Sequence, residues 1–322
     1  GFQLWRLGNI INALDGVSAS AGTDHITVRN GITRNMNGDG IDLSLASECR
    51  VEDIHATNNN GNGISLGANS IIWGCVARQN GGGGVQCATN CVLDRCAAAG
   101  NAFIGIAGGA GSTLSRCSAS GNSAGFSASP GSTLSDCSAS GNLSRGFNLG
   151  SGCTAAHCAA NSNAGDGFTA ASGCSFLSCT AYFNAANGFY LVGSNDGGIV
   201  ADCIATSNNA DGIKCNAACI LRGNTCHLHG NAGDGAGIHA TSDDNRIEGN
   251  NCTGADRGID VDAPGNVIIR NTCSGNTTNW TIAANNVIGP ILDRTAPGSA
   301  AISGNSAPSS LGSTDANANY TY

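Results

Sequence analysis

The 322-residue chain is poor in charge, aromatics, proline and methionine: charged residues make up 11% and aromatic residues 5%, with five Pro and one Met. Lys214 is the single lysine and the formal net charge is −8, so no basic face is on offer to a nucleic-acid backbone. No apolar run approaches the length that a membrane-spanning helix needs. The composition of a disordered chain, low in hydrophobicity and high in net charge, is missing too: 41% of residues are apolar, enough to bury a core of small side chains. What is abundant is glycine, with 49 residues, and cysteine, with 17. The glycines do not recur at every third position, which excludes a collagen.

The abundant residues are periodic. Segments such as STLSRCSASGNSAGF, STLSDCSASGNLSRGF, GCTAAHCAANSNAGDGF and GCSFLSCTAYFNAANGF align almost without gaps. An apolar marker follows a recurring Gly at Val17, Ile41, Ile64, Val85, Ile106, Phe126, Phe147, Phe168, Phe189, Ile213, Ile238 and Ile259, and follows Asn at Trp280; the spacing is about 22 residues. Cysteines keep the same phase at Cys75, Cys96, Cys117, Cys137, Cys158, Cys179, Cys203, Cys226, Cys252 and Cys273. Five residues after the first eight stand Asn80, Asn101, Asn122, Asn142, Asn163, Asn184, Asn208 and Asn231.

Around each marker the pattern alternates inside and outside, as in Phe147, Asn148, Leu149 or Ile259, Asp260, Val261. That is the period of a strand, and Gly interrupts every candidate helix. A unit of about 22 residues is too short for a propeller blade and lacks the leucine pattern of a leucine-rich repeat. It fits one coil of an all-β, single-stranded parallel β-helix with about fourteen coils, a rod on the order of 65 Å long. Stacked coils turn each column into a ladder: an interior row of Phe from Phe126 to Phe189, an interior row of Cys, and a row of Asn at a bend.

On these columns the sequence resembles the right-handed parallel β-helix superfamily, which includes pectate lyase-like enzymes and carbohydrate-binding proteins. The stretch GNTCHLHGNAGDGAGIHATSDDNRIEGNNCTGADRGIDVDAPGNVIIRNTCSGNTTNW, residues 223–280, is similar to the C-terminal part of a group of secreted bacterial β-helix repeat proteins of unassigned function. The resemblance implies the right-handed coil and an extracellular or cell-surface location, with an export signal and further coils upstream. Residues 1–11 then read as a lead-in continuing an upstream coil or cap, 12–303 as the β-helix, and 304–322 as a Ser/Asn-rich tail without an apolar stripe. A solenoid end without a cap offers unpaired strand edges, so end-to-end stacking with a second copy is expected.

Cysteines at equivalent positions of a long core read as mostly free, buried thiols. Stacked neighbours such as Cys153 and Cys174 would still lie within disulfide range. Cys87, Cys91 and Cys96, like Cys215 and Cys219, match no zinc-module spacing. The sequons at Asn142, Asn251, Asn276, Asn279 and Asn319 are cheap in so Asn-rich a chain and carry little.

The outward column beside the marker is small and bland in its middle, but at one end Tyr190, Lys214, His239 and Asp260 stand on successive coils with Asp262 two residues further. On this fold Lys214 would neutralise a sugar carboxylate, His239 take a proton and Tyr190 supply one, as a polysaccharide lyase requires. Asp260 paired with Asp211, Asp234 or Asp262 would suit a glycosidase. The only marker intervals lengthened beyond the N-terminal pair, Phe189 to Ile213 and Ile213 to Ile238, flank this column. Asp243, Asp244, Asp260 and Asp262 are candidate calcium ligands, and no other cofactor is called for. The opposing view is that Asp39, Asp166 and Asp211 simply precede Gly in turns, that His227 and His229 both face solvent, and that a column of mixed charge serves solubility. Uniform short coils favour an exported structural or adhesive rod that self-associates and contacts glycans. The alternative is a carbohydrate-active enzyme, a polysaccharide lyase or glycoside hydrolase, working near residues 190–262.

Overall fold

The computed structural model describes residues 3–4, 14–193, 197–230, 233–293 and 315–322. Each coil is built like residues 64–87: the marker strand Ile64–Leu66, a second strand Ile71–Trp73, a third strand Val76–Arg78, and then the next marker strand Val85–Cys87. Thirteen marker strands, from Val17–Ser18 to Thr278–Ile282, form one all-parallel sheet. Thirteen is one fewer than the coil count expected. The second and third strands belong to a single sheet, because Thr27–Arg34 and Arg50–Thr57 each run continuously around the corner that divides them in later coils. Among the described residues there is no helix.

Each coil turns three corners, and each corner has one residue in the left-handed region. At the corner after the marker strand these include Asn69 and Asn90; between the second and third strands Asp53, Arg95 and Arg116; after the third strand Asn58, Gln79 and Phe183. Gly fills the equivalent positions in other coils, such as Gly111, Gly74 and Gly100, because it meets no Cβ penalty there. A second class of glycine precedes the marker for a different reason. A Cβ on Gly84 would meet the carbonyl oxygen of Gly105 at 2.4 Å and Nδ2 of Asn101 at 2.9 Å, so successive coils could not close on each other.

The interior is a set of stacks. Phe126, Phe147, Phe168 and Phe189 lie face over face with centroids 4.7, 4.7 and 4.8 Å apart, the rise of one coil, and Phe176 meets two of them edge-on. Asn59, Asn80, Asn101, Asn122, Asn142, Asn163, Asn184 and Asn208 form the bend ladder, all buried. Asn122 shows the rule: its Oδ1 accepts from the backbone N–H and the side-chain amide of Asn101, both at 2.9 Å, and its Nδ2 donates to the Ala98 carbonyl at 3.1 Å. Asn142 lies within this ladder, which removes its sequon from reach in the folded chain.

Two columns depart from their expected course. The seat above Asn208 belongs to the buried His229, whose Nδ1 accepts the Asn208 backbone N–H at 3.3 Å. His229 therefore does not face solvent, and Asn231 lies outside the described residues. The shift follows from counting residues after the third strand, which reaches its corner two residues sooner than the Cys phase implies. The cysteine column also divides. Cys75 to Cys203 occupy the corner between the second and third strands, but the next seats there are Asn224, Asn250, Asn271 and Asn319. Cys226 pairs with Ala205 instead and continues, with Cys252 and Cys273, the alanine row inside the third strand. Both slots take a small side chain, which is why one periodic letter served two positions. At the corner a thiol does part of the work of an amide: Cys96 Sγ donates toward the Ile72 and Asp94 carbonyls at 3.7 and 3.5 Å. All seventeen cysteines are free thiols, and all but Cys87 are buried.

Part of the segment expected as a tail is a strand. Asn319–Thr321 pairs with Thr272–Ser274 and with Ile291–Asp293, and Thr321 accepts the indole N–H of Trp280 at 3.0 Å. Asn319 completes the ladder of Asn271: its Oδ1 accepts the Asn271 backbone N–H at 2.8 Å, and its Nδ2 donates to the Ile268 carbonyl at 3.2 Å.

Candidate functional site

Parallel pairing of the marker strands sets the outward column in register: Tyr190 beside Lys214, Lys214 beside His239, His239 beside Asp260. The sequence-derived neighbours are thus brought together on one sheet face, but not as a free row of solvated charges. His239 is largely buried and sits between two carboxylates, with Nδ1 3.0 Å from Asp211 Oδ2 and Nε2 3.0 Å from Asp262 Oδ2. Burial alone would lower its pKa, but the hydrogen bonds to Asp211 and Asp262 outweigh that and raise it to about 9.

Asp211 is the organiser of this arrangement, a role hidden by its place in a turn sequence. It is buried at the corner before the marker Ile213; Oδ1 accepts the Ala236 backbone N–H at 2.8 Å, while Oδ2 takes His239 and stands 3.8 Å from Lys214 Nζ. The same corner two coils earlier holds Asp166, where Asn187 and Thr169 consume the carboxylate. Asp211 differs because its carboxylate is met by His239 from the next coil, where Asp166 is met by the Thr169 hydroxyl of its own coil. Lys214 extends along the face, with Nζ 6.0 Å from the centre of the Tyr190 ring.

Asp260 is buried despite its place in the outward column, at 1% exposure. Arg257 covers it: Nη1 reaches Asp260 Oδ2 at 2.5 Å and Nη2 reaches Asp234 Oδ1 at 2.7 Å. Arg257 was not anticipated from sequence, and its signal was slight: it is an arginine where the paired position one coil earlier is Ala236. Asp260 Oδ1 is buried and has no hydrogen-bond partner. His239, Asp260 and Asp262 each present a donor atom within 4.8 Å of the others. Asp243 and Asp244, the other calcium candidates, are exposed at the next corner and do not join this group. A depression of about 310 Å³ opens on the Asp211 side of His239, lined by Asn187, Asn209, Asp211, Lys214, Asp234 and His239.

The arrangement carries three cationic groups, Lys214, His239 and Arg257, interleaved with four carboxylates. It can orient hydroxyl groups, neutralise a carboxylate or hold a cation. His227 is separate: it faces solvent on the third-strand face, where Nδ1 meets Thr253 Oγ1 at 2.9 Å.

Comparisons with known proteins place the fold. Residues 88–196 match the family model of the right handed beta helix region. No curated protein matches the sequence. Among solved structures the chain is similar to the A-module of an Azotobacter vinelandii mannuronan C-5 epimerase, with TM-score 0.64 and 13% identity over 84% of this chain and 92% of that one. It is also similar to the catalytic unit of an α-1,3-glucanase from Streptomyces thermodiastaticus, with TM-score 0.55 and 11% identity over 81% of this chain and 58% of that one. A third likeness is to the tailspike protein of E. coli bacteriophage HK620 in complex with a hexasaccharide, with TM-score 0.57, 12% identity and coverage of 91% and 63%. The chain therefore spans less than two thirds of the glucanase and tailspike chains, and at these identities the likeness is one of fold. Its parallel coils, asparagine ladders and stacked interior make this chain a right-handed parallel β-helix protein.

Proposed function

We propose that the chain is an exported β-helix rod that binds a glycan on its marker face around His239. The observation that carries this reading is the concentration of charge: the outward column, uncharged from Ser65 to Thr169, becomes between Tyr190 and Asp262 a fixed array of carboxylates and cations, with an open depression beside Asp211, Lys214 and His239. Asp234 and Asp262 are exposed acceptors for sugar hydroxyls, Lys214 is a donor, and the Tyr190 ring is a flat surface for a pyranose. The two lengthened coils beside it add only about three or four residues to the usual repeat, too few to raise the high walls that enclose a substrate and exclude water. The structural neighbours include a tailspike in complex with a hexasaccharide, which supports a saccharide as the ligand class. No helix among the described residues is long and apolar enough to cross a membrane, in keeping with a surface or extracellular place for the rod.

A second reading has its own observation. Tyr190, Lys214 and His239 occupy three consecutive coils in strict register, the residue types that a polysaccharide lyase needs within one sugar's reach. One experiment separates the two. The purified chain and its Lys214→Ala and His239→Ala variants are presented to an array of uronic and neutral oligosaccharides, and the same sugars are incubated and analysed for cleavage or epimerisation. Retention of an intact sugar, weakened at least tenfold in the variants, supports the binding rod. Turnover that the variants lose replaces the rod by the enzyme, and retention of no sugar overturns both. End-to-end self-association belongs to the same proposal, and sedimentation showing only monomers across a hundredfold concentration range would remove it.

A further inference from the structure

The structure assigns a divalent transition-metal site, of the zinc class, to His239, Asp260 and Asp262, each through one side-chain atom. This inference uses the same cluster as the glycan reading but does not rest on it. Three observations support it. The donor atoms of the three residues lie within 4.8 Å of one another. A tetrahedral ion with ligands near 2.1 Å separates its donors by roughly 3.4 Å, so the His239–Asp262 pair, now 3.0 Å apart, must open slightly and the wider separations must close by up to about 1.4 Å. Asp262 is exposed and can supply that movement by a change of rotamer. The second observation is Asp260. It is 1% exposed, its Oδ2 is engaged by Arg257, and its Oδ1 is left buried without a partner. A carboxylate oxygen in that condition costs free energy unless something cationic reaches it.

The third observation is the far side of the histidine. Metal-binding imidazoles characteristically donate their second N–H to a carboxylate, which fixes the tautomer and the ring plane. Asp211 Oδ2 holds His239 Nδ1 at 3.0 Å and is itself fixed by the Ala236 backbone N–H at 2.8 Å. Nε2 is thereby turned toward Asp262 Oδ2, 3.0 Å away, and a cation would sit to one side of that pair and replace their hydrogen bond. One nitrogen and two carboxylate oxygens suit zinc, cobalt or manganese. They do not suit calcium, which takes six or more oxygen ligands. Three protein ligands leave a coordination position open toward solvent beside Asp262, as in sites that bind a further ligand.

Isothermal titration of zinc chloride alone into the full chain, stripped with EDTA and desalted into millimolar calcium, tests the site. The expected result is one zinc per chain, and cobalt as a probe gives visible d–d absorption of a low-coordinate centre. Asp262→Asn weakens zinc by at least tenfold. Asp260→Asn removes it, and because Asp260 is buried, a circular dichroism spectrum of that variant accompanies the titration. Asp211→Asn, a positioning change that leaves all three ligands, weakens binding 10- to 100-fold. Asp243→Asn and Cys87→Ser leave it unchanged. Binding that survives Asp262→Asn, that is lost in Cys87→Ser, or that calcium displaces would overturn the assignment. Loss of glycan retention with zinc binding intact would refute only the glycan reading, and the reverse result only this one.

Discussion

Asn208 donates its backbone N–H to Nδ1 of His229, so a histidine completes a ladder that eight asparagines build beneath it. Its Nε2 lies 3.0 Å from the Ala205 carbonyl, and that contact requires the proton on Nε2 and a neutral ring. Burial pushes the pKa of His229 down to about 4. Between about pH 4 and the unfolded value near 6.5, the unfolded chain binds a proton that the folded chain refuses, so stability rises with pH across this window. His229 should therefore cost nothing above pH 6.5 and remove about 3 kcal/mol by pH 4. Urea denaturation at a series of pH values should show this loss, and His229→Asn, which restores the ladder's usual residue, should flatten that part of the profile. Equal slopes in both proteins would show that His229 is charged or accessible in the folded state.

The asparagine ladder itself makes a steeper prediction. Asn122→Ala removes the acceptor for the N–H and side-chain amide of Asn101 and strands the Ala98 carbonyl, all buried. At about 1–3 kcal/mol for each stranded group, the loss should reach at least about 3 kcal/mol, against under 1 kcal/mol for an exposed Asn such as Asn148. Thermal unfolding of the two alanine variants makes the comparison. Because coils contact only their neighbours, hydrogen exchange in Asn122→Ala should quicken first around residues 98–142 and leave the coils near Ile259 protected.

The interior of this rod was legible in the sequence because interior positions repeat with the coil. Phe126 to Phe189 stack as their spacing required, and period-2 alternation placed Tyr190, Lys214 and His239 on one face. What period alone could not resolve was a choice between two interior slots of similar size, which is how Cys226 came to be read with Cys203 when it stacks on Ala205. The site was half legible for a related reason. A column shows which residues stand in line, but not that Arg257 folds over Asp260 from three residues away, nor that the corner residue Asp211 turns its carboxylate toward His239. Those contacts depend on side-chain direction at positions that have no repeat to reveal them.

The glycine before the markers from Val17 to Ile259 should resist replacement for steric reasons. On Gly146 a Cβ would meet the Gly167 carbonyl oxygen at 2.6 Å and Asn163 Nδ2 at 2.8 Å. Both neighbours are held by ladder hydrogen bonds and cannot retreat. Gly146→Ala should cost about 2–3 kcal/mol, measured by chemical denaturation. Gly141→Ala is the control: nothing lies within 4 Å of its Cβ position, and only its φ of +61° opposes the change, at about 1 kcal/mol. A cost for Gly146→Ala no larger than the control's would mean that adjacent coils can separate locally.

Phe183 runs the opposite way. It holds φ of 55° at a corner where other coils place Gly100, Gly121, Gly141 and Gly254, and its ring is exposed. The left-handed conformation costs a bulky residue about 1–2 kcal/mol, and a glycine there gives back about 0.5–1 kcal/mol through the greater freedom of the unfolded chain. Phe183→Gly should thus stabilise the rod by roughly 0.5–1 kcal/mol. Leu228, two coils on with φ of 56° and also exposed, should respond in the same way. Separated by the coil of Ser207, the two changes should add within about 0.5 kcal/mol in thermal unfolding of the double variant. Destabilisation by either single change would show that the exposed side chain packs on its corner strongly enough to outweigh the backbone strain.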